Sequence, residues 1–262
     1  MLLKADHLNL WFDSYNQDNE PESTQVLHDV SFAVKSGETT ALVGESGSGK
    51  SVTAFSILRL LEESSSVRTT GSISFQNRDL YTLTLDEMRH IRGNKIAMIF
   101  QEPMSSLNPV YTIGSQMMEP LILHQKMKKK DAEREAVRLL RRTGIDDPKN
   151  RFHAFPHQLS GGQRQRVIIA MALACKPSLL IADEPTTALD VTIQAQILEL
   201  IKDIQSEYGM AVLLITHDLV LVRNNANHIY IMEKGRIVEH GQTRHLYSSP
   251  TNRYTKRLLS ST

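Results

Sequence analysis

Apolar residues in this chain follow two rhythms. The first is a short unbroken run bounded by turn residues: TTALVG (39–44), KIAMIF (95–100), SLLIADE (178–184) and AVLLITHD (211–218). Runs this short and continuous suit strands covered on both faces, as in a parallel sheet. Helix-like stretches stand beside them: SVTAFSILRLL after the first, GGQRQRVIIAMALA before the third, and TIQAQILELIKDIQSEYG before the fourth. Strand and helix in alternation predict an α/β fold with crossover connections.

The second rhythm is two-residue alternation, in LKADHLNLWF, HDVSFAVKSG and GSISFQN near the start of the chain. It predicts an antiparallel sheet with one wet face. Between the first two segments, the polar, acidic DSYNQDNEPEST reads as an exposed hairpin loop. HIYIMEKGRIVEHG predicts a later hairpin that turns at Lys234-Gly235. From Glu102 to about Gln158 the strand signal is gone. EPMSSLNP is loop-like, and KKKDAEREAVRLLRRTG reads as a helix ending at Gly144, with Leu139 and Leu140 on its apolar side. This stretch is expected to be a small helical insert.

Composition narrows the classes. At 262 residues the chain is long enough for one large domain or two small ones. Its 30 basic and 29 acidic residues leave a formal charge of +1, which gives no general pull toward nucleic acid or anionic lipid. The run KMKKKDAER reads as a solvated helical face, since acids follow at once. A single cysteine, Cys175 in the apolar run VIIAMALAC, excludes an internal disulfide and reads as a buried small hydrophobe in a reducing compartment. MLLKADHLNLWF lacks the form of a secretory signal, and no apolar run approaches the ~20 residues of a membrane span. The chain is therefore expected to be cytosolic and to meet a membrane only through a partner.

The candidate chemistry sits at the ends of the apolar runs. GESGSGKS, Gly44 to Ser51, has the phosphate-loop pattern between an expected strand and an expected helix. Its glycines let backbone amides turn onto phosphate oxygens, and the helix adds its positive end. Lys50 is placed to reach the β and γ phosphates and Ser51 to hold Mg²⁺. A glycine-rich turn without function is the alternative. Asp183 and Glu184 close the run LLIADE, where carboxylates are costly unless they meet a cation. Asp183 would hold the metal, directly or through water, and Glu184 would polarise a water aimed at the γ-phosphate. Two solvated acids capping a strand are the bland alternative. His217, at the end of the last run, can contact the γ-phosphate, and Gln101, after KIAMIF, can bond a water or a Mg²⁺ ligand. Gln101 is also a candidate sensor, at the junction with the helical insert. A second glycine turn, LSGGQRQR (159–166), is equally suited to an anion, yet the chain holds only one set of catalytic parts.

The set GESGSGKS, FQEP, LSGGQRQR, LLIADEPTTALD and ITHD resembles the ATP-binding-cassette ATPases in order and spacing, over essentially the whole chain. The resemblance implies a P-loop NTPase core with a mainly parallel sheet and an N-terminal antiparallel β subdomain, over 1–101 and 165–262. A helical subdomain at 102–164 would carry the signature at its end. It implies nucleotide contacts along Gly44, Glu45, Ser46, Gly47, Ser48, Gly49, Lys50, Ser51 and Val52, with Phe12 as the aromatic on adenine and Trp11 and Tyr15 as neighbours. Metal ligands would be Ser51, Gln101 and Asp183, and the catalytic set Glu184, His217, Gln101 and Lys50. It further implies that Ser160, Gly161, Gly162 and Gln163 close over the nucleotide of a second cassette, with Asp190 crossing the interface. Expected cofactors are ATP and Mg²⁺.

The fuller strings VGESGSGKSVTA, IFQEPMSSLNPVYTIG, FPHQLSGGQRQRV and SPTNRYTKRLL look like the dipeptide, oligopeptide and nickel importer branch, nearest to the first cassette of tandem peptide (microcin-type) importers. The implied partners are a second ABC ATPase (an identical or a related chain), two membrane permease subunits and a periplasmic or extracellular solute-binding protein, with no nucleic acid. The implied location is the cytoplasmic face of the bacterial plasma (inner) membrane. Nickel or a glutathione-like solute is the alternative cargo, and a cassette ATPase acting on nucleic acid the alternative class. A degenerate nucleotide sensor would need a broken catalytic set, and no expected residue is missing. The chain ends at Thr262 without the cysteine-bearing extension or second cassette of some relatives, which leaves a single-cassette subunit and an excised domain both open.

Overall fold

The computed structural model describes residues 1–15, 20–62, 66–101, 106–186 and 191–260, the backbone alone at 191. They form two compact units, Met1–Met88 with Ala211–Thr262, and Arg89–Met210.

In the first unit, β1 (Leu3–Tyr15) pairs antiparallel with β2 (Pro21–Val34) and β4 (Val67–Phe75), and the two-residue β5 (Arg78–Asp79) extends this sheet. Side chains at Leu3, Ala5, Leu8 and Leu10 are buried while their neighbours are wet, so one face carries the core, as the alternation predicts. Of the segment expected to be a hairpin loop, DSYNQDNEPEST, residues 13–15 and 21–24 are strand, and 16–19 lie outside the described residues. Asp13, Ser14 and Tyr15 pair with Ser23, Glu22 and Pro21, and the Ser23 hydroxyl donates to the Asp13 carboxylate at 2.6 Å. A backbone ladder needs no apolar side chains, so this polar end left no hydrophobic trace in the sequence.

The same unit holds β3 (Thr39–Val43), β8 (Ala211–Thr216), β9 (His228–Glu233) and β10 (Arg236–Gln242). β3 pairs parallel with β8 on one side and with β9 on the other, and β10 runs antiparallel to β9. β3 and β8 are buried along their whole length, as doubly covered strands should be. The β9–β10 turn falls where expected, with Lys234 and Gly235 at φ 47° and 76°. Ala41, Val43, Val222, Ile229, Leu246 and Tyr254 form a core on one face of these strands.

In the second unit, β6 (Ile96–Ile99) and β7 (Leu179–Asp183) pair in parallel. Helices Ile113–Gln125, Lys129–Arg142 and Pro148–Phe152 occupy the segment expected to be helical. Gly144 ends the second of these helices at φ 75°, and Leu139 and Leu140 are buried, as predicted. Helices Gly161–Leu173 and Val191–Tyr208 complete the unit. Cys175 is buried, its thiol directed at the Pro120 carbonyl at 3.5 Å.

Candidate functional site

In the first unit the fully buried β3 delivers the chain into the glycine loop. A Cβ on Gly44 would lie 2.1 Å from the Met232 carbonyl oxygen and 2.7 Å from the Ser48 hydroxyl, so the loop can start here only with glycine. Gly49 closes it at φ 103°, the left-handed region that glycine enters without strain. The helix Lys50–Ile57 then begins with no side-chain cap. A helix start without a side-chain cap is the arrangement that an anion site uses.

Lys50 is only 5% exposed. Its ammonium donates to the Gly44 and Glu45 carbonyls at 2.8 and 2.9 Å, so the loop itself carries the cost of holding a buried cation. Glu45, Ser46 and Gly47 are exposed, Ser48 and Gly49 are buried, and Ser51 and Val52 sit half-buried on the first helical turn.

The last rung of the β3–β8 ladder pairs Val43 with Thr216. Gly44 and His217 therefore leave the sheet at the same end, and His217 is exposed there. Asp218 follows as the cap of the helix Leu219–Asn225, accepting from the Val220 and Leu221 amides at 2.8 and 3.3 Å. This cap fixes the chain direction just after His217.

The second unit repeats the device. β6 and β7 run in parallel with Ile99 opposite Ala182, so Gln101 and the Asp183-Glu184 pair emerge from the same end. Asp183 is 1% exposed. Glu184 takes φ 45°, an unusual value for a residue with a side chain, of the kind that collects at functional sites. The Gln101 carboxamide donates to its carboxylate at 3.2 Å.

The other glycine turn caps itself. The Ser160 hydroxyl accepts from the Gln163 amide at 3.3 Å, and the Gln163 side chain accepts from the Ser160 amide at 3.1 Å, a reciprocal capping box. Gly161 and Gly162 form the first turn, and Gly161 is exposed. Further along, the fully buried Gln165 donates its amide to the Pro185 carbonyl at 2.5 Å. This bond ties the signature helix to the residue after Glu184. Nothing in LSGGQRQR singles out Gln165, because its partner lies 20 residues away on another element.

Phe12 is half-buried on β1, opposite Thr24 and Val67. Of its neighbours, Trp11 has the Arg68 guanidinium over its ring at 4.3 Å, and Tyr15 is 72% exposed. Asp190 lies outside the described residues.

The sequence profile described as "ABC transporter" matches residues 27–187. The chain is 50% identical over 260 residues to the dipeptide transport ATP-binding protein DppD of Bacillus subtilis, covering 99% of this chain and 76% of that one. It is 54% identical over 231 residues to the peptidoglycan transport ATP-binding protein YejF of Agrobacterium fabrum, covering 88% of this chain and 42% of that longer protein. Among solved structures, the post-hydrolysis dimer of the ATP-binding cassette MJ0796 with ADP and Pi superimposes with a TM-score of 0.79. That match has 30% identity and covers 92% of this chain and 99% of that one.

Proposed function

The chain belongs to the ABC transporter family, and on that footing we propose that it is the ATP-hydrolysing subunit of an importer of peptides or a related small solute. The observation that carries the cargo class is the 50% identity to a dipeptide transport subunit over 99% of the chain. As a family member it is an ATPase, and the α/β fold matches cassettes solved with the products of hydrolysis.

In this reading the 44–51 loop and Val52 hold the triphosphate, and Lys50 offsets charge on the β and γ phosphates. The Ser51 hydroxyl, the Asp183 carboxylate and the Gln101 amide offer oxygen donors, the chemistry that a magnesium ion selects. Magnesium, when bound, neutralises phosphate charge. Glu184 takes a proton from the attacking water as oxygen bonds to the γ-phosphorus and the bond to the bridging oxygen breaks, releasing ADP. His217 orients the γ-phosphate. Gln101, bonded to Glu184, reports nucleotide state to the 102–164 helical segment. Phe12 stacks on adenine.

Ser160, Gly161, Gly162 and Gln163 act on the nucleotide of a second cassette, identical or related, with Asp190 at the crossing. This accounts for two anion devices beside one catalytic set. No helix among the described residues is long and apolar enough to cross a membrane. We place the chain at the cytoplasmic face of the bacterial plasma membrane, on two permease subunits served by a solute-binding protein. Reconstitution with those subunits in vesicles tests this: peptide-loaded binding protein should stimulate hydrolysis. Stimulation by DNA or RNA instead would overturn it.

A further inference from the structure

The phosphate loop is held from behind by residues that lie after the family-matched span 27–187. We propose that Tyr254, on the helix Arg253–Ser260, is a positioning residue that anchors the phosphate loop at Glu45 and thereby sets its nucleotide affinity.

The geometry is specific. The Glu45 amide donates to the Tyr254 phenol oxygen at 3.1 Å. This amide therefore points away from the cradle, and the bond fixes the second residue of the loop. The Tyr254 ring is 5% exposed and belongs to the same core as Ala41 and Val43 of β3, the strand that feeds the loop. Burial pushes the phenol's pKa up, so it stays protonated. One packed ring thus fixes strand and loop together.

The ring has its own support. The Glu239 carboxylate on β10 accepts from the Thr251 amide and hydroxyl at 2.7 Å each, and from the Asn252 amide at 3.2 Å. Asn252 in turn accepts from the Tyr254 amide at 2.8 Å, which sets the start of the helix. A second brace comes from the β9–β10 turn. The Gly235 amide donates to the Ser48 carbonyl at 2.9 Å, and the Gly235 carbonyl accepts from the His28 amide at 2.8 Å. Residues 45 and 48 are thus tied to the rest of the unit on either side of Gly47.

Glycine-rich backbone loses more freedom on ordering than any other, and a ligand that must order its own site binds more weakly. An anchor outside the cradle removes that cost before the nucleotide arrives. Arg257 adds to this. It lies 3.5 Å from the Glu45 carboxylate and its guanidinium sits 5.1 Å over the Tyr254 ring, so an acid at the mouth of an anion site is met by a cation. That pair is exposed and contributes little alone.

The inference rests on the reading of 44–51 as a nucleotide loop, and the test separates the two. MgADP affinity, melting temperature and the KM and kcat for ATP are measured for the parent, Tyr254→Phe, Tyr247→Phe and Lys50→Ala. Tyr254→Phe keeps the ring and removes only the hydroxyl. It should weaken MgADP by about three- to ten-fold, the range for one lost hydrogen bond. The loss should fall on KM rather than kcat, and exchange of the Glu45 amide should quicken. Tyr247 packs on the same core and donates its hydroxyl to the Leu219 carbonyl, away from the loop. Tyr247→Phe should lower the melting temperature and leave affinity intact. Equal affinity in parent and Tyr254→Phe, or equal weakening in both tyrosine variants, overturns the anchor. Unchanged affinity in Lys50→Ala overturns the phosphate-loop reading beneath it.

Discussion

The two glycine turns start their helices in opposite ways. At Gly49 no side chain caps the helix, and bonds to Tyr254 and Gly235 hold the loop open from outside. At Ser160 the turn satisfies itself through the reciprocal Ser160–Gln163 bonds. An uncapped helix start is unfavourable without an acceptor, whereas a capping box is complete by itself. The first turn thus has the form expected of the proposed phosphate loop. The second keeps a stable shape of its own, which agrees with the proposed role as a lid on a second cassette's nucleotide.

The largest expected effect comes from Glu184, the proposed general base. Glu184→Gln should slow hydrolysis by about 10²–10⁴-fold while MgATP still binds, measured by phosphate release and nucleotide titration. Next comes the contrast between the turns. Lys50→Ala should weaken MgADP by about 10–100-fold, the loss of a charge-assisted contact. Ser160→Ala should leave MgADP affinity unchanged and cost only about 1 kcal/mol of stability through the lost cap. If the two variants weaken MgADP alike, the turns are not different devices.

Much of this arrangement was legible in the sequence, for identifiable reasons. Buried strands such as β3 and β7 announce themselves as apolar runs, and caps such as Ser160 with Gln163 are local, three residues apart. The turn at Lys234-Gly235 is local too. The polar ends of β1 and β2 pair without buried apolar side chains, so no hydrophobic period marks them as strand. Glu45 and Tyr254 are 209 positions apart, and no periodicity records a bond of that kind. Gln165 was hidden differently: a glutamine on a helix reads as surface until its burial against Pro185 is seen.

That buried glutamine gives the next prediction. Gln165→Leu leaves the Pro185 carbonyl without its donor, a cost of about 1–3 kcal/mol. Calorimetry should show a fall in Tm of about 2–12 °C. Hydrolysis should fall further than MgADP affinity, since the bond supports the Glu184 side and not the phosphate loop.

The smallest effect concerns acid. Burial alone would raise the Glu239 pKa, but the Thr255 hydroxyl and the bonds from Thr251 and Asn252 outweigh it and hold the group at about 2. A carboxylate depressed on folding contributes stability above its unfolded pKa of about 4.3 and loses it as pH falls toward about 2. Glu239→Gln should therefore lower Tm at pH 7 by a few degrees, with the gap to the parent shrinking across that acid window. A gap independent of pH would remove the carboxylate from the support of the last helix.

The central claim is that each hydrolytic site is completed by Ser160 of a second cassette, and mixing two defective chains tests it. Lys50→Ala and Ser160→Arg should each be nearly inactive alone, and their mixture should regain ATPase activity, because one site of the mixed pair has both residues intact. A Ser160→Arg chain that turns over ATP at the parent rate while monomeric would contradict it.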